Sequence, residues 1–289
     1  MAIAGVLAGA HIASAADQRI AFQRGDAVYV SNGHASVIRK VAEGIFPAIS
    51  PDAKALAFTR VEPRGNSYVR RLMVINILTS EAHLLSAIPG DNVYNAVWSA
   101  DQQWVAFTFQ SAGVWNLGTI KPDGTDLRII KKGDQESAPL YSPCWARDGR
   151  SIFCQDMTNV YRVGLDGTTL SQWNINRLVP NGAMSGDSRI DVSPNGNRLL
   201  LSIEMDEEYD RKDWDGPVPA LWAFDLTTQT AARLTSKSLF AWDGCWMDDT
   251  NVLFISQSAA DKRPTIYRMD RKTFRPLIYD ATRPSVSRP

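Results

Sequence analysis

Five segments of the chain repeat one pattern, and that repetition limits the fold more than any bulk property does. They are FPAISPDAKALAFTR from Phe46, NAVWSADQQWVAFTF from Asn95, SPCWARDGRSIFCQD from Ser142, RIDVSPNGNRLLLSI from Arg189 and DGCWMDDTNVLFISQ from Asp243. Each carries a large apolar anchor (Ile49, Trp98, Trp145, Val192, Trp246), then a polar turn built on Asp, Asn, Gly or Ala, then an apolar strand. Asp and Asn side chains bond their own backbone and Gly tolerates positive φ, so the turn chemistry fits a tight hairpin. The anchors fall 49, 47, 47 and 54 residues apart. A second alternating hairpin recurs between the copies, as in AVYVSNGHASVIRKV from Ala27 and TIYRMDRKTFRPLIY from Thr265. Period-2 alternation rich in β-branched and aromatic residues predicts strand throughout, and no helical stripe competes.

Two hairpins make four antiparallel strands per unit, the size of a propeller blade. Such a sheet alone leaves apolar faces wet, so the units must pack radially and the ring must close. Six second hairpins are present but only five of the first kind, so the first unit lacks its innermost strand. The last residues, RPSVSRP from Arg283, mimic FPAISPD from Phe46 as far as the turn. The prediction is an all-β, six-bladed β-propeller of four-stranded antiparallel blades, with the C-terminal strand completing the first blade. It forms a single domain over residues 17–289.

The 289 residues are 44% hydrophobic, enough to bury a large core. The 31 Lys and Arg offset the 31 Asp and Glu, so no broad field draws in a polyphosphate, and nucleic acid is not an expected partner. Residues 1–16 are apolar and rich in small residues, and Ala13-Ser14-Ala15 suits a signal peptidase, although no Lys or Arg precedes the run. An export signal is expected there, with a periplasmic or secreted product. No later stretch reaches the roughly 20 apolar residues that cross a bilayer.

The turn-and-strand signature in SPDAKALAF (Ser50 to Phe58), SADQQWVAF (Ser99 to Phe107) and SPNGNRLLL (Ser193 to Leu201) resembles the TolB-type propeller repeat across nearly the whole mature chain. The resemblance implies a six-bladed ring and a role in the cell envelope of the Tol-Pal kind, where the propeller mouth receives a lipoprotein. The α/β domain that precedes such propellers is not expected, because RIAFQR from Arg19 already reads as the first strand. The same repeats occur in the gating propellers of prolyl oligopeptidase-like enzymes, but no hydrolase domain is expected after Pro289 and a G-x-S-x-G elbow is absent.

Candidate chemistry is sparse. Of three histidines, His11 falls in the leader, while His34 and His83 read as solvated residues away from the mouth. Cys144 and Cys154 flank the Asp148-Gly149 turn symmetrically, which would place them opposite each other on paired strands. A disulfide is one reading; three small buried hydrophobes, with Cys245, is the preferred one. No cofactor is expected. No zinc spacing is found, and the half-match to a calcium loop in DRKDWDG has Arg211 at the first ligand position and lacks the final Glu. The stretch EMDEEYDRKDWDGPVPA from Glu204 departs from the repeat, crowding Asp206, Glu207, Glu208, Asp210, Asp213 and Asp215 around Trp214. Insertions in repeat proteins gather on the binding face. The loops on that face are rich in aromatic residues, whereas Trp98, Trp145 and Trp246 read as core.

Arg64, Tyr68, Tyr94, Tyr141, Trp214, Phe240, Trp242 and Asp243 are therefore the expected binding residues. The expected function is a non-catalytic, monomeric scaffold receiving a protein segment, such as an envelope lipoprotein, or a glycan at the funnel mouth. The alternative is a carbohydrate-active glycosidase or lyase using carboxylates in the same mouth.

Overall fold

A computed structural model describes residues 18–209, 211–260, 262–271 and 273–288. The expected export segment and His11 lie outside the described residues, as does Asp210 of the acidic stretch.

The chain runs as β1 (Arg19–Arg24), β2 (Ala27–Asn32), β3 (Ile38–Glu43), β4 (Ile45–Ile49), β5 (Ala55–Arg64), β6 (Ser67–Asn76) and β7 (Ala82–Leu84). It continues as β8 (Asn92–Trp98), β9 (Val105–Ser111), β10 (Val114–Ile120), β11 (Arg128–Lys131), β12 (Tyr141–Trp145), β13 (Ser151–Gln155), β14 (Asn159–Gly164) and β15 (Thr169–Asn174). A four-residue helix, α1 (Ile175–Leu178), then leads to β16 (Gly182–Ala183), β17 (Ile190–Val192), β18 (Arg198–Met205), β19 (Val218–Asp225) and β20 (Thr230–Arg233). The last strands are β21 (Ala241–Trp246), β22 (Asn251–Ser256), β23 (Thr265–Asp270), β24 (Thr273–Tyr279) and β25 (Thr282–Val286).

Among the described residues these strands form five hydrogen-bonded sheets, not the six separate ones the repeat count predicts. The difference has a local cause. One parallel bridge, Arg70 to Asn92, joins β4–β7 to β8–β11 in a single eight-stranded sheet. Elsewhere the pairing is antiparallel, between chain neighbours as alternating hairpins require except where β25 pairs with β1 and β16 with β18. The innermost strands form a circuit: β4 packs beside β8, β8 beside β12, β12 beside β17, β17 beside β21, β21 beside β25, and β25 back beside β4.

The repeated turns are built as the sequence suggests. Ser50 Oγ donates to Asp52 and accepts from the Ala55 N–H, while the Asp52 carboxylate accepts from Lys54 N. Ser99 with Asp101, and Ser193 with Asn195, make the same three bonds. The motif thus satisfies its turn backbone without outside help.

Alternation gives each sheet two apolar faces, and neighbouring sheets share a core. Cys144 and Phe153 pack with Val192 and Leu201 on one side, and Trp145, Ile152 and Cys154 with Ala106 and Leu117 on the other. The inner tryptophans are buried as predicted, and two of them also tie neighbouring inner strands together. Trp98 Nε1 donates to Ala48 O at 2.8 Å and Trp145 Nε1 to Val97 O at 3.2 Å.

The disulfide reading is corrected. Cys144 lies opposite Phe153 in the register, not opposite Cys154, and a one-residue offset sends the two thiols to opposite faces. All three cysteines are free and buried, and burial pushes each thiol up to about 12, leaving them as protonated hydrophobes.

The tail pairs beside the head as expected. β25 runs antiparallel to β1, with Ala21 opposite Ser285, and Ser287 exchanges hydrogen bonds with Arg19.

Candidate functional site

Three residues before each inner-strand anchor stands a side chain that borders the narrow central channel: Phe46, Asn95, Ser142, Arg189, Asp243 and Arg283. Five of these hold φ between 52° and 54°, Arg189 being the exception. A left-handed backbone at a non-glycine residue costs about 1–2 kcal/mol, so its recurrence marks a position over-determined by its surroundings. At each of the five the strand pairing slips, as between Tyr94 and Val97 or Trp242 and Cys245. These are β-bulges, which re-aim a side chain, here toward the axis.

Charge is concentrated on one half of this circle. Asp243 is 3% exposed, and its Oδ1 lies 3.6 Å from Arg283 and 3.8 Å from Arg189. Arg283 also pairs with Asp187 and covers the Phe46 ring at 4.7 Å. Burial works against the Arg283 charge, but Asp243 and Asp187 more than offset it and raise its pKa above the ordinary value. Deeper in the channel, buried Asp191 accepts two bonds from Arg288, at 2.9 and 3.0 Å, and one from the Trp246 N–H at 2.7 Å. Burial likewise opposes the Arg288 charge, and Asp191 more than restores it.

Beside the circle opens a cavity of about 520 Å³, walled by Trp214, Trp242, Asp187, Glu204, Asp243 and Arg283 among others. The insertion between β18 and β19 supplies Trp214. Tyr209 donates to Trp214 O, Trp214 Nε1 donates to Pro217 O, and Arg211 reaches Gln257 O while pairing with Asp213. Glu207 pairs with Arg233 at 2.7 Å, so the acidic stretch is pinned at both ends. The guanidinium of Arg211 stands over Phe240 at 4.6 Å.

The eight predicted residues fall into separate groups. Trp214, Trp242 and Asp243 line the cavity together. Phe240 is buried at 2% exposure beneath Trp214, with ring centroids 5.3 Å apart, and supports that wall without facing the cavity. Tyr94 and Tyr141 belong to an aromatic row across the channel, in which Phe46, Tyr94, Trp115 and Tyr141 follow at 5.4, 5.7 and 6.3 Å. Burial raises the Tyr94 hydroxyl above its usual pKa. Arg64 and Tyr68 sit at the tip of the long β5–β6 hairpin, outside the cavity, with Arg64 paired to Asp91 and Tyr68 60% exposed. His34 and His83 are exposed, and a ring nitrogen of His83 meets Pro122 O.

Sequence reasoning missed Phe46, Asp187, Arg189, Glu204 and Arg283. A signal for three of them was available: Phe46, Arg189 and Arg283 occupy the same register position as Asp243, three residues before an apolar anchor. Asp187 and Glu204 carried no such mark.

No protein-family model matches the chain, and no curated protein matches its sequence. Solved structures do match its shape. The crystal structure of TolB from Acinetobacter baumannii superposes with a TM-score of 0.72 at 14% identity, covering 96% of this chain and 68% of that one. A putative TolB from Agrobacterium tumefaciens gives 0.60 at 16% identity, with 91% and 89% covered. An oligogalacturonate lyase in complex with manganese gives 0.50 at 13% identity, with 88% and 74% covered. Among the described residues no helix is long and apolar enough to cross a membrane. The closed circuit of inner strands, the outward succession of antiparallel strands and these likenesses agree: the chain has the all-β propeller fold of the TolB type.

Proposed function

We propose that the chain is an exported, non-catalytic propeller that receives a protein segment or a glycan at its mouth. Residues 17–289 are its single domain, and it works in the periplasm or outside the cell. The eight-stranded sheet counts as two blades joined by one bridge, so six blades surround the channel, one of them carrying the two-residue β16 as an extra strand. The observation that carries the reading is the 520 Å³ cavity with two part-exposed indoles, Trp214 and Trp242, on its wall. Its volume falls within the range of ligand pockets, and such side chains combine apolar area with a polar edge at low conformational cost. The test is capture from an envelope extract on the immobilised intact protein and on a Trp214→Ala, Trp242→Ala double variant, with thermal melts to show that both fold. The variant should lose most of the captured partner. Equal recovery of the same partner by both proteins would remove the mouth from consideration.

A second reading rests on Glu204 and Asp243, two carboxylates on one cavity wall. It makes the chain a carbohydrate-active enzyme, a glycosidase or lyase, of the general kind the oligogalacturonate lyase represents. Turnover of an acidic oligosaccharide that disappears in Glu204→Gln would replace binding by catalysis.

A further inference from the structure

Asp243 is buried, yet neither carboxylate oxygen has a hydrogen-bond partner. The two guanidinium groups near it stand at 3.6 and 3.8 Å, and each is engaged elsewhere: Arg283 with Asp187, Arg189 with the Pro284 carbonyl. Buried polar groups are nearly always bonded, and an ionised carboxylate has room for about four donors. Asp243 borders both the channel and the wider cavity, with its two carboxylate oxygens covered from solvent, so a donor entering from the mouth approaches it without crossing the core.

The rest of the wall says which donor suits it. Asp187, Glu204 and Asp243 bring three carboxylates to this wall, against the guanidinium groups of Arg283 and, from the channel side, Arg189, which leaves one negative charge in excess. Glu204 is half-buried, on β18, and no hydrogen bond or ion pair from the described residues engages its side chain. Trp214 and Trp242 stand 6.4 Å apart with their planes inclined at 37°, offering indole faces beside this negative charge. An indole face attracts a cation through its quadrupole, most strongly where water is excluded. A neutral sugar would stack on the same rings but bring no charge to balance the carboxylates, and an acidic ligand would meet like charge.

We propose that this cavity binds an organic cation, the ammonium or guanidinium of a lysine or arginine presented by an extended peptide, with Asp243 as its buried acceptor and Glu204 as its outer one. The proposal rests on the reading of the mouth as a binding site and narrows the ligand to one chemistry. The aliphatic stem of the side chain lies along Trp214 and Trp242 while its head reaches the carboxylates.

The test uses five probes on the whole chain at low salt, read by calorimetry: a blocked Gly-Gly-Lys-Gly-Gly peptide, its Arg, acetyl-lysine and Glu counterparts, and a neutral oligosaccharide. The Lys or Arg peptide should bind at least about tenfold tighter than the acetyl-lysine and Glu peptides. Asp243→Asn, which keeps the shape and suits the left-handed backbone, should remove most of that preference. Equal binding of lysine and acetyl-lysine peptides overturns the proposal, as does an unchanged preference in Asp243→Asn. Should that variant fail to melt cooperatively, Glu204→Gln decides: a preserved Lys preference overturns, a reduced one supports. Binding of the oligosaccharide alone overturns the cation while leaving the mouth as a site. Silence from all five probes overturns the cation too, and the capture experiment then decides separately whether the mouth binds anything.

Discussion

Asp191 and Arg288 are separated by 97 residues, yet they form a two-pronged charged pair across the channel, Asp191 buried and Arg288 mostly so. Such a pair gains little over an apolar substitute, but breaking it strands a buried charge. Asp191→Ala leaves Arg288 without its counter-charge and the Trp246 N–H without its acceptor, and should cost about 3–5 kcal/mol in urea unfolding. Arg288→Ala should cost a similar amount, and the double variant less than the sum of the two. A coupling near zero in that cycle would show that the pair does not hold the tail to the ring. Neither residue was legible as a partner of the other from sequence. Each sits in a repeat segment whose pattern marks its strand but not its partner, and only closure of the ring brings them together. The turn serines and aspartates were legible because their partners lie two to five residues away.

At the scale of elements, the insertion between β18 and β19 breaks the repeat, and there local and distant contacts compete. A run of acidic residues is usually a solvated face, but here Glu207 is held by Arg233 and Lys237. The Arg233 hydrogen bond, against the effect of burial, holds the Glu207 carboxyl below the ordinary glutamate value of 4.5. A carboxyl whose pKa is depressed in the folded state stabilises fully above the unfolded value and loses that contribution as pH falls through the folded one. Glu207→Gln should therefore lower stability at neutral pH, by under about 1 kcal/mol for a pair of this kind, and the difference from the parent should shrink as pH falls below 4.5 and vanish below the depressed folded-state pKa. Thermal melts between pH 7 and pH 3 check it; a gap that widens on acidification would contradict the assignment. The same pinning sets Trp214 in place, so the variant should also weaken ligand binding at the mouth.

For the whole molecule, stability depends on the circuit being complete. β25 supplies the innermost strand beside β1, and its Val286 is buried with Ile20 and Phe22. Removing residues 282–289 would uncover that cluster, free an edge of β1 and delete Arg288 together. The truncated chain should lose its single cooperative melt and bind a hydrophobic dye, as monitored by circular dichroism and fluorescence. A truncated chain melting as sharply as the parent would show that the ring holds without its closing strand.

Strand positions, turn chemistry, the packing role of the inner tryptophans and the pairing of tail with head were all decided by the sequence itself. Each follows from a short-range pattern: alternation of period 2, a self-bonding turn, a motif recurring at nearly constant spacing. The sequence even held the register position that faces the channel, in the residues three before each anchor. Tertiary structure alone decided what those residues do. Whether Asp243 meets Arg283 and Arg189, whether Cys144 faces Cys154, and whether Phe240 is wall or support all depend on bulges and inter-sheet packing that shift side chains by one register step. A pattern along the chain carries no record of which side chains the closed ring will bring within a few ångströms of one another.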